Sequence, residues 1–221
     1  NRHTYPNIRR FRSISSTIVV LSHWDMDHFF SALDPQNADI LKRTWIAPGP
    51  VPNRPTHARL AADILRHGRL LLWPPAGLGP IGTFGGCIGR ASGRTANRNS
   101  SGLLMAVSLF CTDGIRRILL TGDADYRYIP QMFLEELDAV VVPHHGGIRR
   151  AGGTPAARRG AQDPACVFSF GRGNSYRHPN ANICNEHQRQ GWTTRYDTPN
   201  GDVVFYCRDG QWRRTVKGTD D

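Results

Sequence analysis

The side chains best equipped for chemistry lie in one short run, His23-Trp24-Asp25-Met26-Asp27-His28, directly after the apolar segment Thr17-Ile18-Val19-Val20 and Leu21-Ser22. Two imidazoles and two carboxylates within six positions are the ligand mixture that suits zinc or manganese. In an extended chain alternate side chains share a face, so His23, Asp25 and Asp27 would align only if the strand continued, and a tight turn is needed to bring His28 round. Such a set is costly to cluster unless a cation or hydrogen bonds compensate it. The competing reading is a solvated turn after a strand, where Asp and His need no ligand.

Two later segments repeat the pattern of an apolar strand that ends in metal-capable groups. Ile115 to Thr121 runs into Gly122-Asp123, and Val140-Val141-Val142 runs into Pro143-His144-His145-Gly146-Gly147. Seven such groups at three strand ends exceed what one tetrahedral structural zinc requires. They fit a site for two divalent metal ions, Zn or Mn, with one carboxylate shared between the ions.

Around these ends the sequence predicts an α/β chain. Phe29 to Pro55 reads as a loop region with at most a short helix near Ala38 to Thr44. A helix from the N-cap Thr56 through His67 would bury Leu60, Ala61, Ile64 and Leu65 and close at Gly68, with His57 and His67 as surface or partly packed histidines. Leu70 to Trp73 is a short strand. The glycine-rich stretch Pro74 to Gly93 carries no phosphate-loop lysine and no clean dinucleotide fingerprint, and reads as a surface loop. Leu103 to Cys111 and Ile115 to Thr121 form a hairpin across Asp113-Gly114. A helix starting at Pro130 would run through Leu137. Cys166 to Phe170 is a strand, a polar loop over 171–179 leads into a helix ending near Gly191, and Thr193 to Tyr196, Val203 to Cys207 and Trp212 to Val216 close the chain as strands.

At 221 residues the chain suits a single domain spanning 1–221, and its hydrophobic share of 39% with 23 glycines fits a loop-rich globular protein. No apolar run is long enough to span a bilayer and the first residues form no signal peptide, so the expectation is a cytoplasmic protein with no membrane partner. The five cysteines, far apart and without a CxxC pair, read as reduced thiols. The chain opens on Asn1 rather than Met, so an upstream segment or a partner chain is expected to be missing. A net charge of +10, mostly from arginine, favours polyanions, and the Arg149 to Arg159 loop reads either as a solvated linker or as a basic flap over an anionic substrate.

His23-x-Asp25-x-Asp27-His28, Thr121-Gly122-Asp123 and His144-His145-Gly146 together resemble the signature of the metallo-β-lactamase superfamily. Asp25 in the second position, Asn97-Arg98-Asn99-Ser100-Ser101 before the hairpin, and Asn174-Ser175-Tyr176-Arg177-His178-Pro179 resemble the branch of ComEC-type competence protein hydrolase domains. The resemblance covers roughly Ile18 to Val216. It implies a four-layer αββα sandwich with the metals at one edge between the sheets, here lacking the strands that usually precede the first cluster.

By the same resemblance His23, Asp25 and Asp123 would hold one ion, and Asp27, His28, Asp123 and His145 the other. Which of His144 and His145 ligates stays open; its neighbour would contact substrate or donate a proton. Asp27, His144, Asp125 and His178 are the expected catalytic groups, with Asp125 orienting the attacking water. Asn97, Ser101, Arg149, Arg172, Asn174 and Arg177 are expected to bind substrate. Gly147 stands where this branch usually carries serine. The function implied is hydrolysis of phosphodiester bonds in nucleic acid or a nucleotide. The alternatives are a metallo-hydrolase of another ester or lactam, and a catalytically weak nucleic-acid-binding or regulatory module.

Overall fold

Side-chain alternation along two sheets sets the layers of this α/β molecule. The computed structural model describes residues 17–74, 79–81, 85–94, 96–147 and 153–217. The smaller sheet has three parallel strands in the order β1 (Ile18–Val20), β2 (Thr44–Pro48), β3 (Arg69–Trp73). The larger has seven: β4 (Gly79–Ile81), β5 (Gly86–Arg90), β6 (Leu103–Cys111), β7 (Gly114–Leu120), β8 (Ala139–Val141), β9 (Ala165–Phe168) and β10 (Thr194–Asp197), adjacent in sequence order. Strands β4 to β7 are antiparallel, whereas β7 to β10 run parallel.

On β2, Trp45 and Ala47 pack with Leu60, Ala61 and Ile64 of the helix α2 (Pro55–His67), which follows the single turn α1 (Met26–Phe29). Ile46, between them, points the other way and meets Ile88 of β5 and Leu103 of β6. Along β6 the same period of two sends Leu104 and Ala106 outward to the core that also holds Ile183 of the helix α3 (Ala181–Arg189). Val107 and Leu109 face inward, toward Phe205 and Trp212 of the hairpin β11 (Asp202–Arg208) and β12 (Gln211–Lys217). The layers are therefore α2, small sheet, large sheet and α3, the four-layer arrangement expected from the sequence.

Several expectations are corrected. The glycine-rich stretch is not a surface loop throughout, because 79–81 and 86–90 pair as β4 and β5, and Gly89 lies where an added Cβ would stand 2.6 Å from the Phe133 ring. The region 29–55 contains β2, whose run Trp45-Ile46-Ala47 is buried on both faces and so lacks alternation. No helix spans 130–137; a 3-10 turn at Gln131–Phe133 bends the chain so that Phe133 and Leu137 both enter the core. In α2 Leu65, expected in the buried stripe, is 63% exposed, and His57, expected at the surface or partly packed, is buried at 4%. Expectations about strands before Thr17 fall on residues 1–16, outside the described residues, as does Arg149. Among the described residues no helix is long and apolar enough to cross a membrane.

Candidate metal centre

The two sheets meet where β1 ends. Leu21 N–H donates to the Ile46 carbonyl, and the Ser22 carbonyl then accepts from Leu103 N–H of the large sheet at 2.6 Å. Gly122 makes that approach possible: its φ of +56° is left-handed, and a Cβ there would stand 2.8 Å from the Ser22 Cβ. Trp24 is then locked into the smaller core, its indole N–H donating to the Pro48 carbonyl at 2.6 Å. The Trp24 carbonyl takes a hydrogen bond from His57 Nε2 at 2.6 Å, so His57 braces the backbone of the cluster from behind. Asp25 starts α1, and this helical turn is what swings His28 back toward His23, leaving their ring centroids 4.0 Å apart.

Asp123 arrives from the large sheet, just beyond Gly122. Its side chain is 6% exposed and lies among imidazoles: His23 Nε2 is 3.6 Å from Oδ2, His28 Nε2 is 3.5 Å from Oδ1 and His145 Nε2 is 3.9 Å from Oδ1. Asp27 Oδ2 stands 3.7 Å from His28 Nε2 and 3.8 Å from His145 Nε2. These separations are too long for hydrogen bonds. They match the edges of a coordination polyhedron, which for a tetrahedron with bonds near 2.1 Å are roughly 3.4 Å. Among the described residues, two sets of donor atoms lie within 4.8 Å of one another: His23, His28 and Asp123, and Asp27, His28 and His145. His28 belongs to both.

The outer ring nitrogens explain which nitrogens face inward. Ser22 Oγ lies 3.2 Å from His23 Nδ1 and 3.0 Å from His28 Nδ1. A hydroxyl has two lone pairs, so it can accept both Nδ1–H groups and leave both Nε2 atoms unprotonated. Those two Nε2 atoms are buried and make no hydrogen bond. His145 Nδ1 donates to the Ser169 carbonyl, which cannot donate in return, so its Nε2 is likewise the inward lone pair. Orphaned acceptors and a buried carboxylate in one place are the condition a divalent cation relieves, so these residues fit a metal.

The same groups shift one another's pKa values. Burial raises the Asp123 carboxyl, but His144 and His28 beside it outweigh burial and hold it far below the usual carboxylate range. The contact with His23 lowers Asp25, and that with His145 lowers Asp27. Asp123 raises His144, and Asp27 raises His145. Both histidines hold left-handed backbone, with φ of 51° and 55°, a strained doublet that aims two adjacent rings into one site.

The doublet divides its work. His145 turns toward Asp27 and His28, whereas His144 Nδ1 is 3.1 Å from Asp123 Oδ2, with its ring 41% exposed at the mouth. His178 stands behind, its ring centroid 5.9 Å from His144 and 6.3 Å from His145, and burial lowers its pKa. Tyr176 stacks on the far side of His178 at 5.7 Å and is 74% exposed. Asp125 opens the 3-10 turn Tyr126–Tyr128 and is close enough to raise His144, but it joins neither donor set. A serine at Gly147 would not fit, since a Cβ there would stand 2.7 Å from both the His144 and His178 rings.

Other expected substrate residues are engaged elsewhere. Asn97 and Ser101 shape their own loop: Asn97 Oδ1 accepts from Ser100 N–H, and the buried Ser101 hydroxyl donates to the Asn97 carbonyl. The side chains of that stretch that reach the site are the ones the sequence reading passed over, Arg98, 2.6 Å from Asp25 Oδ1, and Asn99, 3.3 Å from His144 Nδ1. Asn174 holds both the N–H and the carbonyl of His178, fixing the loop rather than lining a pocket. Arg172 donates to the Pro199 carbonyl, and Arg177 is exposed. Arg158 does not cap the site at all. It pairs with Asp138 at 2.7 Å, at the opposite end of β7 and β8.

No family model matches the chain, and no curated protein matches it. Among solved structures it is similar to a mutant of the CmlA beta-hydroxylase, with 13% identity and a TM-score of 0.43, over 81% of this chain and 42% of that one. The chain thus spans under half the length of that protein, and a likeness of this size carries no argument about activity.

Proposed function

We propose that this chain is a metallo-β-lactamase superfamily hydrolase of the ComEC-type branch that uses two divalent cations, zinc or manganese, to cleave phosphodiester bonds in nucleic acid or a nucleotide. One observation carries the reading: the unpartnered Nε2 atoms of His23 and His28, the His145 ring and carboxylates from both sheets converge on Asp123. His23, Asp25 and Asp123 would hold one ion, and Asp27, His28, Asp123 and His145 the other. When bound, such a pair lowers the pKa of a water and neutralises charge on phosphoryl oxygens.

The protein's own groups do the rest. Asp123 favours the protonated form of His144, which stands at the mouth and donates that proton to the leaving oxygen. Asp125, beside His144, orients the attacking water. His178, whose pKa burial lowers, borders the substrate with Tyr176 stacked against it. Arg172, Arg177 and the net charge of +10 attract the phosphate. The test is hydrolysis of bis-p-nitrophenyl phosphate by metal-loaded protein. Chelator-sensitive turnover that disappears in Asp27→Ala plus Asp123→Ala supports the reading; failure to bind any divalent ion, or turnover indifferent to both changes, removes it.

A further inference from the structure

We propose that Arg98 is a positioning residue for one of the two ions, fixing Asp25 so that a single carboxylate oxygen faces it. This rests on the dimetal reading above. Asp25 occupies the N-cap of α1, where aspartate normally accepts a hydrogen bond from the first turn, yet its side chain makes no cap hydrogen bond. Its two oxygens are committed elsewhere. Oδ2 lies 3.4 Å from the orphaned His23 Nε2, and Oδ1 lies 2.6 Å from Arg98 Nη2. The latter is a charge contact rather than an aligned hydrogen bond, since Oδ1 has no donor in good geometry.

A carboxylate free to turn about its last torsion presents either oxygen, or both, to a cation. With a guanidinium against Oδ1, only Oδ2 is left for the site. Among the described residues, Asp27, the other carboxylate of the run, is paired with the imidazoles of His28 and His145 and with no guanidinium. The two ion positions therefore differ, and Arg98 acts on one of them.

Arg98 is itself held. Its carbonyl accepts from Ser101 N–H, Asn97 accepts from the main chain and hydroxyl of Ser100 and from the Ser101 hydroxyl, and the Ser22 carbonyl would meet a Cβ on Gly102 at 2.8 Å. Asn99, the next residue, reaches His144 on the opposite wall. One short loop thereby steadies both sides of the site. Two effects compete at Arg98: orienting Asp25 strengthens ion binding, and a positive charge nearby weakens it. Loss of outer partners of metal ligands costs about 10–100-fold in affinity, so orientation is expected to win.

Metal-stripped protein titrated with Zn2+ against a chromophoric competitor, with stoichiometry read by native mass spectrometry, tests this. The parent chain is expected to bind two ions; Arg98→Ala should keep one at parental affinity and bind the second about 10–100-fold more weakly. Arg98→Lys retains the charge but not the reach and shape of the guanidinium, and should bind the second ion at an affinity between those of the parent and Arg98→Ala. Because Arg98 works through Asp25, Asp25→Asn with Arg98→Ala should lose no more than Asp25→Asn alone. Parental affinity for both ions in Arg98→Ala, tighter binding, full recovery in Arg98→Lys or additive losses would each overturn the proposal. A parent chain that binds no divalent ion would instead remove the dimetal reading, and this proposal with it. The metal-free melting temperature of each variant, expected to match the parent, separates loss of positioning from loss of fold.

Discussion

Two buried aspartates, Asp123 and Asp138, sit at opposite ends of the parallel pair β7 and β8, and their surroundings are opposites. Asp138 is saturated: Oδ1 meets Arg116 at 3.3 Å and Arg158 at 2.7 Å, and Oδ2 accepts from Arg117 N–H at 2.8 Å. Permanent cations and an amide leave it nothing to do but hold the turn end of the β6–β7 hairpin to Arg158. Asp123 has one imidazole in hydrogen-bond reach, His144 at 3.1 Å, while the Nε2 atoms of His23 and His28 stand farther off at 3.6 and 3.5 Å with no hydrogen-bond partner. Similar burial thus marks a closed structural ion cluster at one end and an open site at the other, and the difference lies in whether the neighbours are guanidinium groups in direct contact or imidazoles whose Nε2 atoms have no partner.

The contrast is sharpest in substitution. Asp123→Asn removes a donor from both ion positions, so diester hydrolysis should fall on the order of 10⁴-fold, about 5 kcal/mol of barrier. Yet in chelator the same variant keeps an amide oxygen that can accept from His144 Nδ1, so its melting temperature should fall by less than about 5 °C. A large drop in the chelated melting temperature would erase the distinction drawn here.

Asp138→Ala should do the reverse. Stripping two arginines of their carboxylate costs about 3–5 kcal/mol, and the melting temperature should fall by roughly 10 °C with zinc affinity unchanged. Ser22→Ala comes next. Losing the acceptor shared by His23 and His28 should weaken zinc binding about 10-fold while leaving the chelated protein folded.

The smallest effect is in pH. Asp123 and Asp27 raise the folded pKa values of His144 and His145, so in chelator their stabilisation is fully present below about pH 6.5 and is lost as pH rises through the folded values. At such exposure each is worth under about 1 kcal/mol. Zinc needs the unprotonated ring, so its affinity should climb over the same interval. Melting curves at a series of pH values, with and without zinc, should therefore slope in opposite directions; parallel slopes would break the comparison.

What could be seen in the sequence was chemistry that comes in adjacent residues or at strand ends. The run from His23 to His28, Gly122-Asp123 and the histidine doublet announced themselves by residue type, and Asp113-Gly114 marked the hairpin, whose two-residue turn is Thr112-Asp113 with Cys111 opposite Gly114. What could not be seen was which side chains turn inward. Asn97 and Ser101 were chosen over Arg98 and Asn99 from the same five residues, because a 3-10 turn at Asn99–Ser101, and not composition, decides the direction. His57 was read as peripheral since its partner, the Trp24 carbonyl, is 33 residues away. For Arg158 charge alone leaves a solvated linker and a basic flap both open, while its placement depends on Asp138 across the sheet.

The seam at Ser22 and Gly122 has a mechanical consequence. One set of donors rides on the small sheet and the other on the large, so each cation would act as a rivet through two plates. Prising the plates apart would have to release the ions first, and any loosening of Ser22 against Gly122 would be felt at the centre before it was felt anywhere in the cores.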